Sequence, residues 1–270
     1  MKLSFTTLGC PDWELDLIIQ RAKEYGFDAI DFRGLTGEMN IYRLPAFQQN
    51  IHQTRDQIKE AGLEVSCFSS SVHVFSDEKF EQNLAEIKEY SKLCSFFGTR
   101  YIRVFGGGIG ETDRSAAIEA VVRHFKELTS VSKEHGVKLL LETHDDWTSC
   151  SDVKAVLEQV DPDAVGVLWD LHHPFRTLGE QPEDTWAALG RWIEYTHVKD
   201  SRVLPDADGK FHYCLTGEGS IPLANMYKLL LRNGYNGYYT LEWEKKWHPE
   251  IENAEESFPQ YVQYMRRLTN

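Results

Sequence analysis

Four side chains able to bind a metal ion or move a proton each stand at the end of a short apolar run. They are Glu142, Asp170, His197 and Glu242. Short runs of this kind, bounded by turn residues, are typical of buried strands, so these side chains should lie at the C-terminal ends of strands. Enzymes built on parallel α/β sheets place their chemistry at that end. The four residues therefore form a candidate site.

The spacing of the four residues indicates successive strands of one parallel sheet. The steps from 142 to 170, from 170 to 197 and from 197 to 242 each leave room for one helix and a return strand. That is the length of a βαβ unit. In a closed barrel these strands are neighbours, so their ends should meet on one side of the barrel mouth.

Three carboxylates this close would raise one another's pKa values unless a cation compensated them. A divalent metal ion is the simplest cation, and Glu142, Asp170, His197 and Glu242 are its predicted ligands. Three carboxylates and one imidazole suit Mn²⁺, Mg²⁺ or Co²⁺, with Zn²⁺ as an alternative. Taken singly, His197 could be a hydrogen-bonded barrel histidine, and Asp170 could cap the loop that follows it.

Two further side chains lie on the same strand faces, one pleat further out. His144 follows Glu142 by two residues, and Lys199 follows His197 by two. Because strand side chains alternate with a period of two, both could contact a substrate. Two other interpretations stay open. His144 could contact a metal ligand without binding the metal itself, and Lys199 could pair with Asp200 at the rim of the barrel.

The whole chain alternates strands and helices, which predicts one (β/α)₈ barrel over residues 1–270. The length fits that fold, whose usual size is about 250 residues. The predicted strands are 3–7, 28–33, 63–69, 100–105, 137–141, 166–170, 192–196 and 237–241. The predicted helices are one capped by Asp12 and ending near 25, then 47–61, 77–97, 112–134, 151–159, 183–189, 222–232 and 255–267.

Two parts of the chain bear on the alternatives to this fold. An open doubly wound sheet is weakened because Gly106-x-Gly108 is followed by Glu111 where a dinucleotide fingerprint requires a third glycine. The segment 201–221 contains the turn-rich pieces ADGK and TGEGS, which predict a long loop at the site end of the barrel.

Composition excludes several classes of function. A net charge of −13 and an isoelectric point near 5.2 repel phosphate backbones, so nucleic acid is not an expected partner. No run approaches the roughly 18 apolar residues of a spanning helix, so no membrane partner is expected. Five scattered cysteines without a CxxC pair favour neither disulfides nor a zinc knuckle, and they indicate a reducing cytoplasm.

The motifs around these residues resemble the xylose isomerase-like TIM barrel superfamily. This group comprises sugar isomerases, epimerases, and inosose and dehydroshikimate dehydratases related to endonuclease IV. The motifs are Glu142 in LLETH, Asp170 and His173 in the D-x-x-H of WDLHHP, His197 in THVKD, GEG at 217–219 and Glu242 in TLEWE. The resemblance spans the chain and implies a metal-dependent enzyme acting on a small sugar or polyol.

The ketose 3-epimerase branch implies a role for each matching residue. Its Glu, Asp, His and Glu bind the metal, and its two glutamates act as acid and base on opposite substrate faces, which gives that role to Glu142 and Glu242. The D-x-x-H histidine, His173, would contact substrate, whereas strand parity alone favours His172. Arg202 is the nearest candidate for the arginine that follows the metal histidine. A homo-oligomer is expected by family analogy.

The leading hypothesis is proton abstraction next to the carbonyl of an open-chain sugar, giving an enediolate. Returning the proton to the opposite face gives epimerisation, and returning it to the neighbouring carbon gives isomerisation. Loss of a β-hydroxyl makes the enzyme a dehydratase of an inosose-type or dehydroshikimate-type ketone. An endonuclease IV-like phosphodiesterase would need a basic surface, which the net charge opposes. A sugar-binding barrel without catalysis is the third possibility.

Overall fold

Eight of the apolar segments form parallel strands that close into a barrel. The computed structural model describes residues 1–204 and 210–269. Around the barrel the strand order is β1-β10-β7-β6-β5-β4-β3-β2. The barrel strands are β1 (Lys2–Thr6), β2 (Ala29–Phe32), β3 (Glu64–His73), β4 (Tyr101–Phe105), β5 (Lys138–Glu142), β6 (Val165–Asp170), β7 (Ile193–Val198) and β10 (Tyr238–Leu241). The predicted (β/α)₈ fold is confirmed.

Helices surround the barrel on its outer side. They are α1 (Leu15–Tyr25), α2 (Ile51–Glu60), α3 (Phe80–Phe97), α4 (Arg114–Lys133), α5 (Cys150–Leu157), α6 (His173–Leu178), α7 (Pro182–Leu189), α8 (Leu223–Arg232) and α9 (Ala254–Arg267). Within the described residues, no helix is both long enough and apolar enough to cross a membrane.

Three helix boundaries differ from the prediction. Asp12 does not cap α1, because Glu14 occupies the N-cap position and makes no side-chain cap bond. α2 starts at Ile51 and not at 47, since Pro45–Phe47 forms a separate 3₁₀ turn. The segment after β6 contains α6 in addition to α7, and the two helices are separated by the left-handed residue Gly179.

An apolar layer seals the barrel interior below the strand ends. It consists of the inward-facing residues Cys67, Leu140, Leu168 and Tyr195, none of which has any solvent exposure. The Tyr195 hydroxyl donates a hydrogen bond to Ser66 on the barrel floor at 2.7 Å. Because side chains alternate along a strand, the residues two positions later on β5, β6 and β7 point into the same interior one level higher. Those residues are Glu142, Asp170 and His197.

The segment predicted as a long loop contains a β-hairpin. β8 (Asp200–Val203) pairs with β9 (Phe211–Cys214) in an antiparallel ladder. Short strands that carry charged residues give no apolar alternation, so the pattern did not reveal them. Of the ADGK piece, residues 207–209 lie outside the described residues.

Asp200 ties this hairpin to the GEG turn. Its Oδ2 accepts hydrogen bonds from the amides of Gly217 at 2.9 Å and Gly219 at 3.0 Å. Its Oδ1 accepts from Ser201 at 2.8 Å and Ile221 at 3.2 Å. A Cβ on Gly219 would lie 1.9 Å from Asp200 Oδ1, so only glycine fits there. The GEG motif therefore serves a structural purpose here.

Replacing Asp200 should destabilise the protein because four backbone amides would lose a charged acceptor. We expect Asp200→Ala to cost about 2–3 kcal/mol of unfolding free energy and lower Tm by about 5 °C or more. Differential scanning calorimetry measures the change. Arg202→Ala is the matched control on the same hairpin, and its exposed side chain predicts a shift under about 2 °C. Equal shifts in the two variants would contradict this role for Asp200.

Candidate metal centre

The four predicted ligands meet at the mouth of the barrel. One potential ligand atom from each of Glu142, Asp170, His197 and Glu242 lies within 4.8 Å of the others. The first three have no solvent exposure and Glu242 has 4%. Asp170 stands opposite His197 in the β6–β7 ladder, and His197 stands opposite Thr240, two residues before Glu242. Strand register therefore brings the cluster together.

The imidazole of His197 is oriented as a metal ligand requires. Its Nδ1 lies 2.9 Å from Glu142 Oε1 and 3.2 Å from Glu242 Oε1. On the other side of the ring, Nε2 lies 3.3 Å from Asp31 Oδ2. A hydrogen bond from Nε2–H to a carboxylate leaves the Nδ1 lone pair free to face a cation, as in carboxylate–histidine–metal triads.

The carboxylate oxygens also fit a divalent ion. Glu142 Oε2 and Asp170 Oδ2 are buried and accept no hydrogen bond from the described residues, although each lies near a cationic side chain. Buried polar atoms are normally hydrogen-bonded, and oxygens without such a partner are available as ligands. The donor set of three carboxylates and one imidazole therefore matches a divalent metal ion and leaves its identity open.

Lys199 lies inside the cluster. Its Nζ is 2.9 Å from Asp170 Oδ2, 2.5 Å from Glu242 Oε2 and 2.6 Å from Glu244 Oε1. The alternative that placed Lys199 at the rim with Asp200 is wrong, because Asp200 is bound to the backbone amides of its own hairpin. The lysine thus compensates carboxylates within the site.

The charged side chains of the cluster determine which of its groups are ionised. Burial and the charge of Glu242 act to raise the pKa of Glu142, but Arg103 and His197 outweigh them and lower it. Burial acts to lower the pKa of His197, yet Glu242 and Glu142 hold it well above its usual range. Burial likewise opposes a charged Lys199, whose pKa Asp170 and Glu242 keep raised. A metal ion would take the place of the proton on His197 Nδ1.

His144 and His173 form one wall beside the cluster. Their ring centroids are 4.4 Å apart in an edge-to-face contact, and His173 Nδ1 is 3.5 Å from Asp170 Oδ2. Burial and the charge of Lys199 lower the pKa of His173 well below normal. Burial also acts to lower the pKa of His144, but its hydrogen bond with Asp145 raises it. One wall therefore combines a neutral and a readily protonated imidazole.

His172 and Arg202 are placed differently from the residues above. His172 has no exposure, and its Nε2 lies 2.8 Å from the Ser201 hydroxyl, so it anchors the hairpin. Arg202 does not reach the cluster in the described residues. Its guanidinium binds the backbone carbonyl and the carboxylate of Glu218, because the chain leaves the barrel strand after Lys199 and enters the hairpin. We do not include Arg202 in the site.

Sequence reasoning missed three residues of the site. They are Asp31 beside His197, Arg103 at 3.3 Å from Glu142, and Glu244 beside Lys199. Asp31 and Arg103 stand in the middle of short apolar strands. A charged residue in such a position must be buried and paired, and that signal was available in the sequence.

Asp31→Asn should weaken metal binding because the asparagine no longer fixes the imidazole with a full negative charge. We expect the affinity for Mn²⁺ to fall about 10- to 100-fold, the usual effect of losing such an outer partner. Electron paramagnetic resonance titration of free Mn²⁺ gives the dissociation constant. Asp16→Asn, at an exposed position of α1, should leave the affinity unchanged. An unchanged affinity in Asp31→Asn would contradict the triad.

Comparisons with known proteins agree with this architecture. The profile of the Xylose isomerase-like TIM barrel family matches residues 19–268. A search of curated proteins finds no significant match.

Solved structures share the fold over nearly the whole chain. The probable 3-DHS dehydratase AsbF from Bacillus anthracis, involved in petrobactin synthesis, has 21% identity and a TM-score of 0.82 over 98% of this chain and 99% of its own. The IOLI protein with a bound zinc atom has 20% identity and a TM-score of 0.81 over 99% and 98%. A D-tagatose 3-epimerase-like protein has 16% identity and a TM-score of 0.77 over 100% and 97%. Together with the family profile, the barrel and its strand-end cluster establish that this chain belongs to the xylose isomerase-like TIM barrel family.

Proposed function

We propose that the protein is a divalent-metal-dependent isomerase or epimerase that removes a proton next to the carbonyl of an open-chain sugar. The observation that carries this proposal is the pair Glu142 and Glu242. They reach the same atom of His197 from two different strands, at 2.9 Å and 3.2 Å. Two buried carboxylates beside one cation site supply the two proton-transfer groups that the reaction needs.

Glu142, Asp170, His197 and Glu242 would hold the metal ion. When bound, the ion would act as a Lewis acid that polarises the substrate carbonyl and offsets the developing negative charge. The similarity to a zinc-bound fold and the donor set support a divalent ion in general.

The side chains around Glu242 keep it in the ionised state that a base requires. Burial acts to raise its pKa, but His197 and Lys199 hold the pKa well below its usual range. Glu142 is ionised for a similar reason, through Arg103 and His197. One glutamate can therefore accept the substrate proton, and the other, once protonated, can return a proton from a different strand of the barrel mouth. The carbon that receives it decides between epimerisation and isomerisation.

A dehydratase is the second candidate, and a proton donor beside the cluster favours it. Loss of a β-hydroxyl requires an acid that protonates the leaving oxygen. Burial acts to lower the pKa of His144, but its hydrogen bond with Asp145 raises it, so this imidazole can donate that proton. Likeness to the probable 3-DHS dehydratase fold supports this candidate as well. Its substrate would be a cyclic polyol ketone.

We also propose a partner and a cellular location for the protein. A small sugar or polyol substrate fits a closed barrel with a polar mouth. The chain's net charge of −13 disfavours nucleic acid as a partner. We place the protein in the cytoplasm, in keeping with five free cysteines, four of them buried.

Proton NMR in D₂O tests the proposed chemistry. The Mn²⁺-loaded protein is incubated with a panel of ketoses, aldoses, inosose and dehydroshikimate, and we expect deuterium to enter next to a carbonyl. Glu242→Gln should reduce incorporation at least about 100-fold, because the amide cannot accept the proton.

Three controls make this result specific. A chelator should abolish incorporation, and metal content measured in the Glu242→Gln sample separates a lost base from a lost ion. Glu250→Gln, on an exposed side chain, should behave as wild type. Undiminished exchange in Glu242→Gln would refute the assignment of the base, and exchange that survives the chelator would refute the metal dependence.

A further inference from the structure

Arg33 is a buried cation at the barrel mouth. It follows Asp31 by two residues and stands just past the end of β2. It is 8% exposed. Its guanidinium donates one hydrogen bond, from Nη1 to the Ser71 hydroxyl at 3.0 Å. Within residues 1–204 and 210–269, no carboxylate lies within ion-pair distance of it.

Arg103 is a second buried arginine of the barrel, and it differs from Arg33 in having a carboxylate partner. Arg103 is fully buried on β4 and pairs with Glu142 at 3.3 Å. A guanidinium has five N–H donors, and buried arginines are normally paired. Burial and the charge of Arg103 lower the pKa of Arg33 to about 10, so Arg33 is still protonated at neutral pH. Among the described residues, Arg33 therefore has no ion-pair partner, and its guanidinium donates to Ser71 alone.

A continuous row of rings connects Arg33 with the metal cluster. The guanidinium carbon lies 6.0 Å from the centroid of Phe105. The Phe105 ring is 4.9 Å from the ring of His144, which is 4.4 Å from that of His173. His173 in turn is 3.5 Å from Asp170. A row of side-chain contacts thus leads from Arg33 to the metal cluster.

We propose that Arg33 binds a carboxylate of the substrate, so that the substrate is a polyol ketone or sugar derivative that carries a carboxylic acid. This rests on the proposed function. A single guanidinium matches a carboxylate in a bidentate pair. Glu86 and Glu242 both raise the pKa of Arg33, against the effect of burial, so their negative charges reach it. They would oppose a phosphate dianion more strongly than a monoanion.

Two aromatic diols that differ in one charge test this proposal. The probes are 3,4-dihydroxybenzoate and 3,4-dihydroxybenzamide, and isothermal titration of the Mn²⁺-loaded protein measures both affinities. Wild type should prefer the acid at least about tenfold. Arg33→Met should weaken acid binding about 10- to 100-fold, the effect of losing a charged hydrogen-bonding partner, and change amide binding less than about twofold.

Matched variants separate recognition from folding. Arg33→Lys should keep part of the preference, because it retains the charge and loses the planar pair. Arg232→Met, on an exposed arginine, should behave as wild type. Circular dichroism and Mn²⁺ affinity of Arg33→Met should match wild type, which shows that the barrel and cluster are intact.

Several outcomes would overturn the proposal. These are equal losses for both probes in Arg33→Met, no acid preference in wild type (including no binding of either probe), or unchanged acid binding in Arg33→Met. If inorganic phosphate displaced the acid and bound with higher affinity, the group that Arg33 binds would be a phosphate and not a carboxylate. Failure of the proposed function gives a different result: Arg33-dependent acid binding would persist while no ketone in the D₂O panel exchanged hydrogen.

Discussion

The contact of His197 with carboxylates on both sides of its ring is the interaction on which the site depends. The Asp31 carboxylate contacts Nε2, and the carboxylates of Glu142 and Glu242 contact Nδ1. These residues come from four different strands, so the ring can be placed this way only if the barrel closes in the observed register. The imidazole therefore links the closure of the fold to the geometry of the cluster.

This arrangement places more negative charge at the barrel mouth than an apolar interior tolerates. Arg103 and Lys199 compensate part of it from within the barrel, and protonated His197 adds to them. A cation that joined Glu142 and Asp170 would use carboxylate oxygens that now accept no hydrogen bond from the described residues. The protein's own cations therefore offset part of the negative charge, while these ligand oxygens remain available to a metal ion.

Much of this could be predicted because the barrel converts a linear pattern into a ring. Apolar runs that end in Glu142, Asp170, His197 and Glu242 predict strand ends, and parallel neighbours must bring those ends together. Asp31 and Arg103 do not follow from that pattern, because their charges stand inside strands and not at strand ends. Their partners lie across the barrel, so only closure shows which residue pairs with which.

The residues on the substrate-binding side of the barrel mouth are harder to predict from the sequence than the metal ligands. Family analogy places Arg202 there, yet the chain turns into a hairpin after Lys199, and Arg202 binds Glu218 on that hairpin. Arg33 is the first residue after β2, is 8% exposed and donates to Ser71 on the neighbouring strand β3. Within this fold, residues that directly follow a barrel strand are therefore better candidates for substrate contact than residues on the hairpin beyond it. Family analogy alone cannot make that distinction, because it transfers residue types without the local backbone direction.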